Sequence, residues 1–196
     1  MINLKELIPR AHQLAKDKGF WDEPRNQGEC LMLAISELGE AQEAHRKGRT
    51  GDLAKYIADT NELSKNPQYA KFQPATFQEL VKDTVGDELA DAYIRLCDFA
   101  GGTDAIAEEV ADWTQSIRAH YFSGPDNFGE ALLEISDYVI MARTANGRAP
   151  HRDKAIAGAL ARIESLALRQ GIDLETHINL KLAYNQSRER LHGKKY

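Results

Sequence analysis

A chain of 196 residues with 42% apolar and 28% charged side chains has enough material for one ordinary folded domain, or two small ones, and is too apolar for intrinsic disorder. Its 30 acidic residues against 25 basic ones give a net charge of −5, which argues against a duplex-binding protein, whose affinity comes mainly from neutralising phosphates. That balance still leaves room for a small phosphorylated ligand held by a few local cations.

From the N-terminus, Asn3 and Glu6 form a capping-box pattern, and Leu4, Leu7, Ala11, Leu14 and Ala15 follow at helical spacing. Pro9 predicts a short turn before it and the main helix after it, closed by Gly19. A second helix is expected from about Gln27 to Lys47, ended by Gly48. Residues 49–75 read as irregular, with a short helical piece around Asp52–Ala58. Thr76 and Glu79 form another capping box, with a break near Thr84–Gly86 before a helix that stops at Gly101-Gly102. Further helices are expected from Thr103 to about 122, and over 127–145, 152–170 and 174–191. No stretch alternates with a period of two long enough for a strand, so the fold class is all-α. No apolar run reaches membrane-spanning length, and Lys5, Glu6 and Arg10 stand where a secretion signal would have its apolar core. Cys30 and Cys97 lie in apolar helical patterns and read as buried, reduced thiols, which makes the cytoplasm the expected compartment.

A faint internal repeat relates Asn26, Gly28, Glu29 and Leu31 to Asn127, Gly129, Glu130 and Leu132. With a one-residue slip, Ile35-Ser36-Glu37 then matches Ile135-Ser136-Asp137. The chain is therefore either a single domain over 1–196 or two pseudo-repeat halves, 1–122 and 123–196. The alternative is that helix starts simply look alike.

The chemically loaded residues are Glu37 with Glu40, and Glu88 with Asp91. A separation of three puts each pair on one helix face, so two such helices side by side can aim four carboxylates at one point. Oxygen-only donors suit a hard divalent cation, Mg²⁺ or Mn²⁺, and magnesium commonly shares itself with substrate phosphates. Six acidic pairs have this spacing, so spacing alone selects none of them, and most mark solvated faces. Glu37 differs because it shares an arc with Leu33, Ala34, Ala41 and Ala44, where a carboxylate needs a partner. Glu88 and Asp91 share a polar stripe with Asp87, Arg95 and Asp98 that suits a surface equally well. No histidine pair has the spacing of a helical zinc motif, and Glu189–His192 alone has that of a di-iron motif. Near the C-terminus Lys181, Arg188, Arg190, Lys194 and Lys195 face one acid, Glu189, either complementing a helix dipole or clamping phosphate.

Taken together, these motifs resemble the MazG-like all-α nucleoside triphosphate pyrophosphatases. The resemblance rests on Glu37-Leu38-Gly39-Glu40 and Glu88-Leu89-Ala90-Asp91, on FWDEPRN at 20–26, on KDT at 82–84, and on GIDLETHINLKLAYN at 171–185 before HGKKY. Pro24-Arg25-Asn26 and the Lys181…Asn185 spacing also resemble the dCTP pyrophosphatase branch. The resemblance implies a helical bundle in which Glu37, Glu40, Glu88 and Asp91 hold Mg²⁺ (or Mn²⁺), with Glu37 or Glu40 accepting the proton of the attacking water. It implies contacts to phosphate or sugar from Lys181 and Asn185, with Arg188 and Lys194 beside them, and a base pocket lined by Trp21 and Asn26. The implied reaction converts a nucleoside triphosphate and water to monophosphate and pyrophosphate, as in nucleotide-pool housecleaning, by a monomeric pseudo-dimer or a homodimer.

Two departures stand out. Residues 49–75 lengthen the gap between the acidic helices and are expected to form a lid or wall carrying Tyr56, Tyr69 and Phe72. Residues 103–170 intervene before the Lys181 helix, as a fused and decayed second copy would. In that copy Asp137 and Ile140 would replace Glu37 and Glu40, with alanines near 157 and 160 for the second pair, leaving one metal site completed by the last helix. The competing expectation is a non-catalytic helical module that binds nucleotide or another protein.

Overall fold

The structure, a computed structural model, describes residues 2–64, 72–103, 105, 107–120, 124–145 and 149–193. Within them the chain forms nine α-helices and no strand: α1 Leu4–Asp17, α2 Gln27–Arg46, α3 Leu53–Ser64, α4 Pro74–Leu80, α5 Val85–Gly101, α6 Ala107–His120, α7 Phe128–Thr144, α8 Ala149–Arg169 and α9 Leu174–Ser187. None of the described helices is long and apolar enough to cross a membrane. Tyr69, Gly147 and Lys194 lie outside the described residues.

Several boundaries differ from the sequence expectation for local reasons. Pro9 does not divide α1, which runs unbroken from Leu4. The ring removes only the hydrogen bond toward Lys5, and both residues are exposed, so that carbonyl can turn to water. Asn3 occupies the N-cap position, but its side chain caps nothing. Thr76 lies inside α4, because Pro74, with its φ preset for a first helical position, starts that helix earlier. Pro150 likewise sits in the first turn of α8 instead of separating helices. The piece expected at 52–58 extends to Ser64, with the Asp52 carboxylate accepting from the Lys55 amide at 2.8 Å. The last helix stops at Ser187, where Arg188 turns extended and Leu191 and His192 adopt φ of 52° and 53°.

The core is arranged around α5, which packs on α1, α2, α8 and α9. Its Leu89, Tyr93, Leu96 and Phe99 are wholly enclosed, and Cys30 and Cys97 are buried free thiols as expected. A second group of contacts joins α8 to α6 and α7, and α2 lies against α7. Three of the seven buried residues of α2 are alanines (Ala34, Ala41, Ala44), small side chains that let α2 and α5 approach closely. Gly86 does the same for α9: a Cβ there would lie 2.4 Å from the His177 ring. Gly86→Ala is therefore expected to destabilise the protein by about 1–3 kcal/mol through overpacking at the α5–α9 contact, measurable by denaturant unfolding.

The helices α2 and α7 share a cap and a burial pattern, in a register that differs from the one the sequence suggests. Asn26 and Asn127 both cap their helices, each side chain accepting at 3.1 Å from the amide three residues on. Leu31, Ala34, Leu38 and Ala41 are buried along α2, and Leu132, Ile135, Val139 and Ala142 are buried along α7 at a constant offset, with no slip. In that register Tyr138, not Asp137, takes the place of Glu37, and Met141, not Ile140, that of Glu40. Tyr138 packs against the backbone of Gly158 and under the Arg162 guanidinium, so ring and cation occupy the second half where the first half has acids.

Candidate functional site

The acidic faces of α2 and α5 meet at a cavity of about 250 Å³. Glu37 and Glu40 enter from α2, Glu88, Asp91, Arg95 and Asp98 from α5, Lys181, Tyr184 and Asn185 from α9, and Arg188 from the position just after it. Most of the stripe on α5 that suited a surface is thus a cavity wall, formed by Glu88, Asp91, Arg95 and Asp98, while Asp87 is enclosed behind it. The helix that carries it begins at Thr84, whose hydroxyl accepts from the Asp87 amide and donates to the Val81 carbonyl.

Glu37, Glu40 and Glu88 each bring a carboxylate oxygen within 4.8 Å of the other two, and Asp83, Asp87 and Glu88 form a second such group sharing Glu88. Glu37 and Glu88 are 5% and 3% exposed, whereas Glu40 opens to solvent. Asp91 lines the same cavity, with its Oδ2 3.2 Å from Lys181 Nζ. Lys181 also donates to Asp87 Oδ2 at 2.8 Å, and Arg95 donates through Nε and Nη2 to Glu37 Oε1 at 3.2 Å.

Burial, reinforced by the Asp91 charge and opposed by Arg95, pushes the Glu37 carboxyl up to about 7. Burial also raises Glu88 to about 8, against the pull of Lys181 and with Asp87 and Asp91 adding to the rise. Desolvation works against the charge of Lys181, yet Asp91, Asp87 and Glu88 together hold its pKa above the ordinary lysine value. Two cations therefore offset a cluster of acids only in part.

Two residues lining this cavity carry a buried polar atom with no hydrogen-bond partner, Asn185 Oδ1 and His192 Nε2, as does Asp87 Oδ1 behind Lys181. Orphaned buried acceptors are uncommon in folded proteins and point to a ligand or ion. The donor set is entirely oxygen, which fits a hard divalent cation better than zinc or copper. Two wider recesses, of about 470 and 700 Å³, contain no converging acids among the described residues.

The other anticipated residues are placed as follows. Arg188 lines the cavity, donating to the His192 carbonyl and lying over the Tyr184 ring. Asn26 does not reach the cavity, because its side chain caps α2. Trp21 does not line it either, and its indole N–H donates to Asp98 at 2.8 Å. Of the described residues expected in a lid or wall, Phe72 packs on Tyr184, as does Phe77 of α4, and Tyr56 joins Phe77 in the same small cluster.

Lys18, Phe20, Lys82, Asp98 and His192 were not singled out by sequence reasoning as site residues, yet all line the cavity. Lys18 and His192 belong to one brace: Lys18 Nζ donates to the carbonyls of Gln186 and Arg188, and the Leu191 amide donates to the Lys18 carbonyl. Two consecutive left-handed residues thereby carry His192 against Phe20, and burial lowers its imidazole to about 4. The sequence signal for α1 is the one-face row Ala11, Leu14, Ala15 and Lys18, at spacings of three and four, in which two alanines leave room beside a lysine.

No family model, curated protein or solved structure matches this chain.

Proposed function

We propose that this protein is a divalent-cation-dependent nucleoside triphosphate pyrophosphohydrolase, releasing pyrophosphate and a nucleoside monophosphate, with Mg²⁺ as the cation and Mn²⁺ as its substitute. The observation that carries the reading is the convergence of Glu37, Glu40 and Glu88 in a cavity also lined by Lys181 and Arg188. The MazG-like resemblance of the same residues supports the choice of substrate and a role in cytoplasmic nucleotide housecleaning.

In this reading Glu37, Glu40 and Glu88 hold the cation, with Asp91 beside them. When bound, a divalent ion neutralises phosphate charge and lowers the pKa of its water. The chain's own groups do the rest. Glu40, the exposed member, can take up a proton from water and pass it to solvent, and Arg95 fixes Glu37 in place through Oε1. Lys181 offsets part of the charge of Asp87 and Asp91, easing the approach of a polyanion, and Asn185 offers its unpaired Oδ1 to a donor on the sugar. Arg188 provides a further cation for phosphate oxygens. One chain supplies this set from α2, α5, α9 and the residue that follows α9.

A non-catalytic binding module remains the second reading, because Lys181 and Arg95 already act as internal counter-ions to the acids. Pyrophosphate release from a panel of canonical and damaged nucleoside triphosphates separates the two. Turnover that requires Mg²⁺ and stops with a chelator is expected. No turnover, with melting unmoved by MgCl₂, would leave the binding module.

A further inference from the structure

We infer that Asp98 makes this cavity selective for nucleobases that carry an exocyclic amino group, an inference that rests on the nucleotide reading above. Asp98 lies seven residues beyond Asp91 on the same face of α5, about 10 Å along the axis at the rise of an α-helix. That span separates the phosphate end of a nucleotide from the far edge of its base. Between the two acids stands the planar guanidinium of Arg95, already held by Glu37, and around it the lining is apolar, with Ala11, Leu14 and Ala15 of α1, Ile94 and Phe20, a setting suited to a flat ring.

The Asp98 side chain is 8% exposed and held by two neighbours on one oxygen. Trp21 Nε1 donates to Oδ1 at 2.8 Å, and His12 Nδ1 bonds the same atom at 2.9 Å. The two rings pack edge to face with centroids 4.9 Å apart, locking the carboxylate's rotation. Space for them is cleared by Gly101 and Gly102: a Cβ on the first would meet His12 at 2.5 Å, and on the second Trp21 at 2.1 Å. The glycine pair that reads as a helix stop is thus also what lets this clamp form. With Oδ1 engaged twice, Oδ2 is the acceptor this residue offers to the cavity it lines. An acceptor in that position bonds the amino group of cytosine or adenine and repels the carbonyl oxygen that uracil or hypoxanthine puts in the same place.

The test compares substrates that differ at that one position. Wild-type protein with Mg²⁺ is expected to favour dCTP over dUTP, and dATP over dITP, by at least about 100-fold in kcat/KM. Asp98→Asn retains an Oδ1 acceptor for Trp21 and His12 but replaces the free acceptor with an N–H donor, so the dCTP/dUTP ratio should fall by about tenfold or more toward dUTP. A purely structural Asp98 would shift the melting temperature and leave the ratio unchanged. Wild-type rates within about threefold for both pairs, or equal slowing of dCTP and dUTP by Asp98→Asn, would overturn the inference. If no nucleotide is hydrolysed, the hydrolytic reading fails separately. Equilibrium binding of the non-hydrolysable α,β-methylene analogues of dCTP and dUTP to wild-type protein then decides the role of Asp98: about tenfold tighter binding of the cytosine analogue supports it, and equal or undetectable binding refutes it.

Discussion

Glu37→Gln is expected to reduce pyrophosphate release by at least about 10³-fold while making the metal-free protein more stable above pH 7. The first effect follows from removing a negative oxygen donor at the point where three carboxylates converge. The second follows from burial. The folded-state pKa of Glu37 is raised to about 7, and that of Glu88 to about 8, from an ordinary value of 4.5. An acid raised in this way stabilises the fold fully below pH 4.5, and that contribution is lost as pH climbs through the folded value, because the ionised carboxylate is what the cavity disfavours. Each pKa unit corresponds to about 1.4 kcal/mol, so the metal-free wild type should lose several kcal/mol between about pH 4.5 and 8. Glutamine keeps an oxygen for Arg95 but cannot ionise, so the Glu37 part of that loss, from about 4.5 to about 7, should vanish from the variant. The same linkage predicts that MgCl₂ raises the melting temperature of the wild type more at pH 8 than at pH 5, and that Glu37→Gln removes most of this difference. Scanning calorimetry across pH, with chelator or with MgCl₂, measures both. A melting temperature independent of pH from 5 to 8 in chelator would show that the cluster is not under electrostatic load.

How much of this was legible beforehand depended on how local each cause was. Glu37 could be placed because its alanine neighbours mark a buried arc, and a carboxylate there must be answered by a partner. The opposite ambiguity held for Glu88, Asp91 and Asp98: a polar stripe on an otherwise apolar helix looks the same whether it faces solvent or an internal cavity. The glycine stops at Gly19 and Gly48 were readable because a left-handed residue, with φ of 82° and 64°, follows the last helical turn. Pro9 misled because a proline near a helix start is tolerated when the carbonyl it orphans can reach water. Lys18, Phe20 and His192 were illegible in the site for a different reason. They meet only because the chain after α9 folds back onto the end of α1, a contact spanning some 170 residues that no short-range pattern encodes. Trp21 was read as lining a base pocket, whereas its structural role is one step removed, through Asp98.

Lys181→Met should lower the melting temperature by about 10 °C, the second large effect expected of this site. Lys181 is 5% exposed and bonds Asp87, which is fully enclosed, and Asp91 as well. Removing one partner of a buried ion pair leaves the other charge without compensation, which typically costs about 3–5 kcal/mol. Among the described residues Asp87 has no second cation to turn to: its Oδ2 otherwise accepts only the Asp83 amide, and its Oδ1 is unpaired. The double variant Lys181→Met/Asp87→Asn should therefore recover more than half of the lost stability, since the asparagine carbonyl still accepts from the Asp83 amide and no isolated charge remains. Activity should not recover with it, because the lysine that allows a triphosphate to approach Asp91 is still missing. Added MgCl₂ should stabilise the single variant more than the wild type, as the ion takes over the neutralisation that Lys181 supplied. Chemical denaturation of the four proteins of this cycle, alongside pyrophosphate release, separates the two roles. A single variant that melts like the wild type would mean that Asp87 is neutral in the fold and that the lysine is held there for the ligand alone.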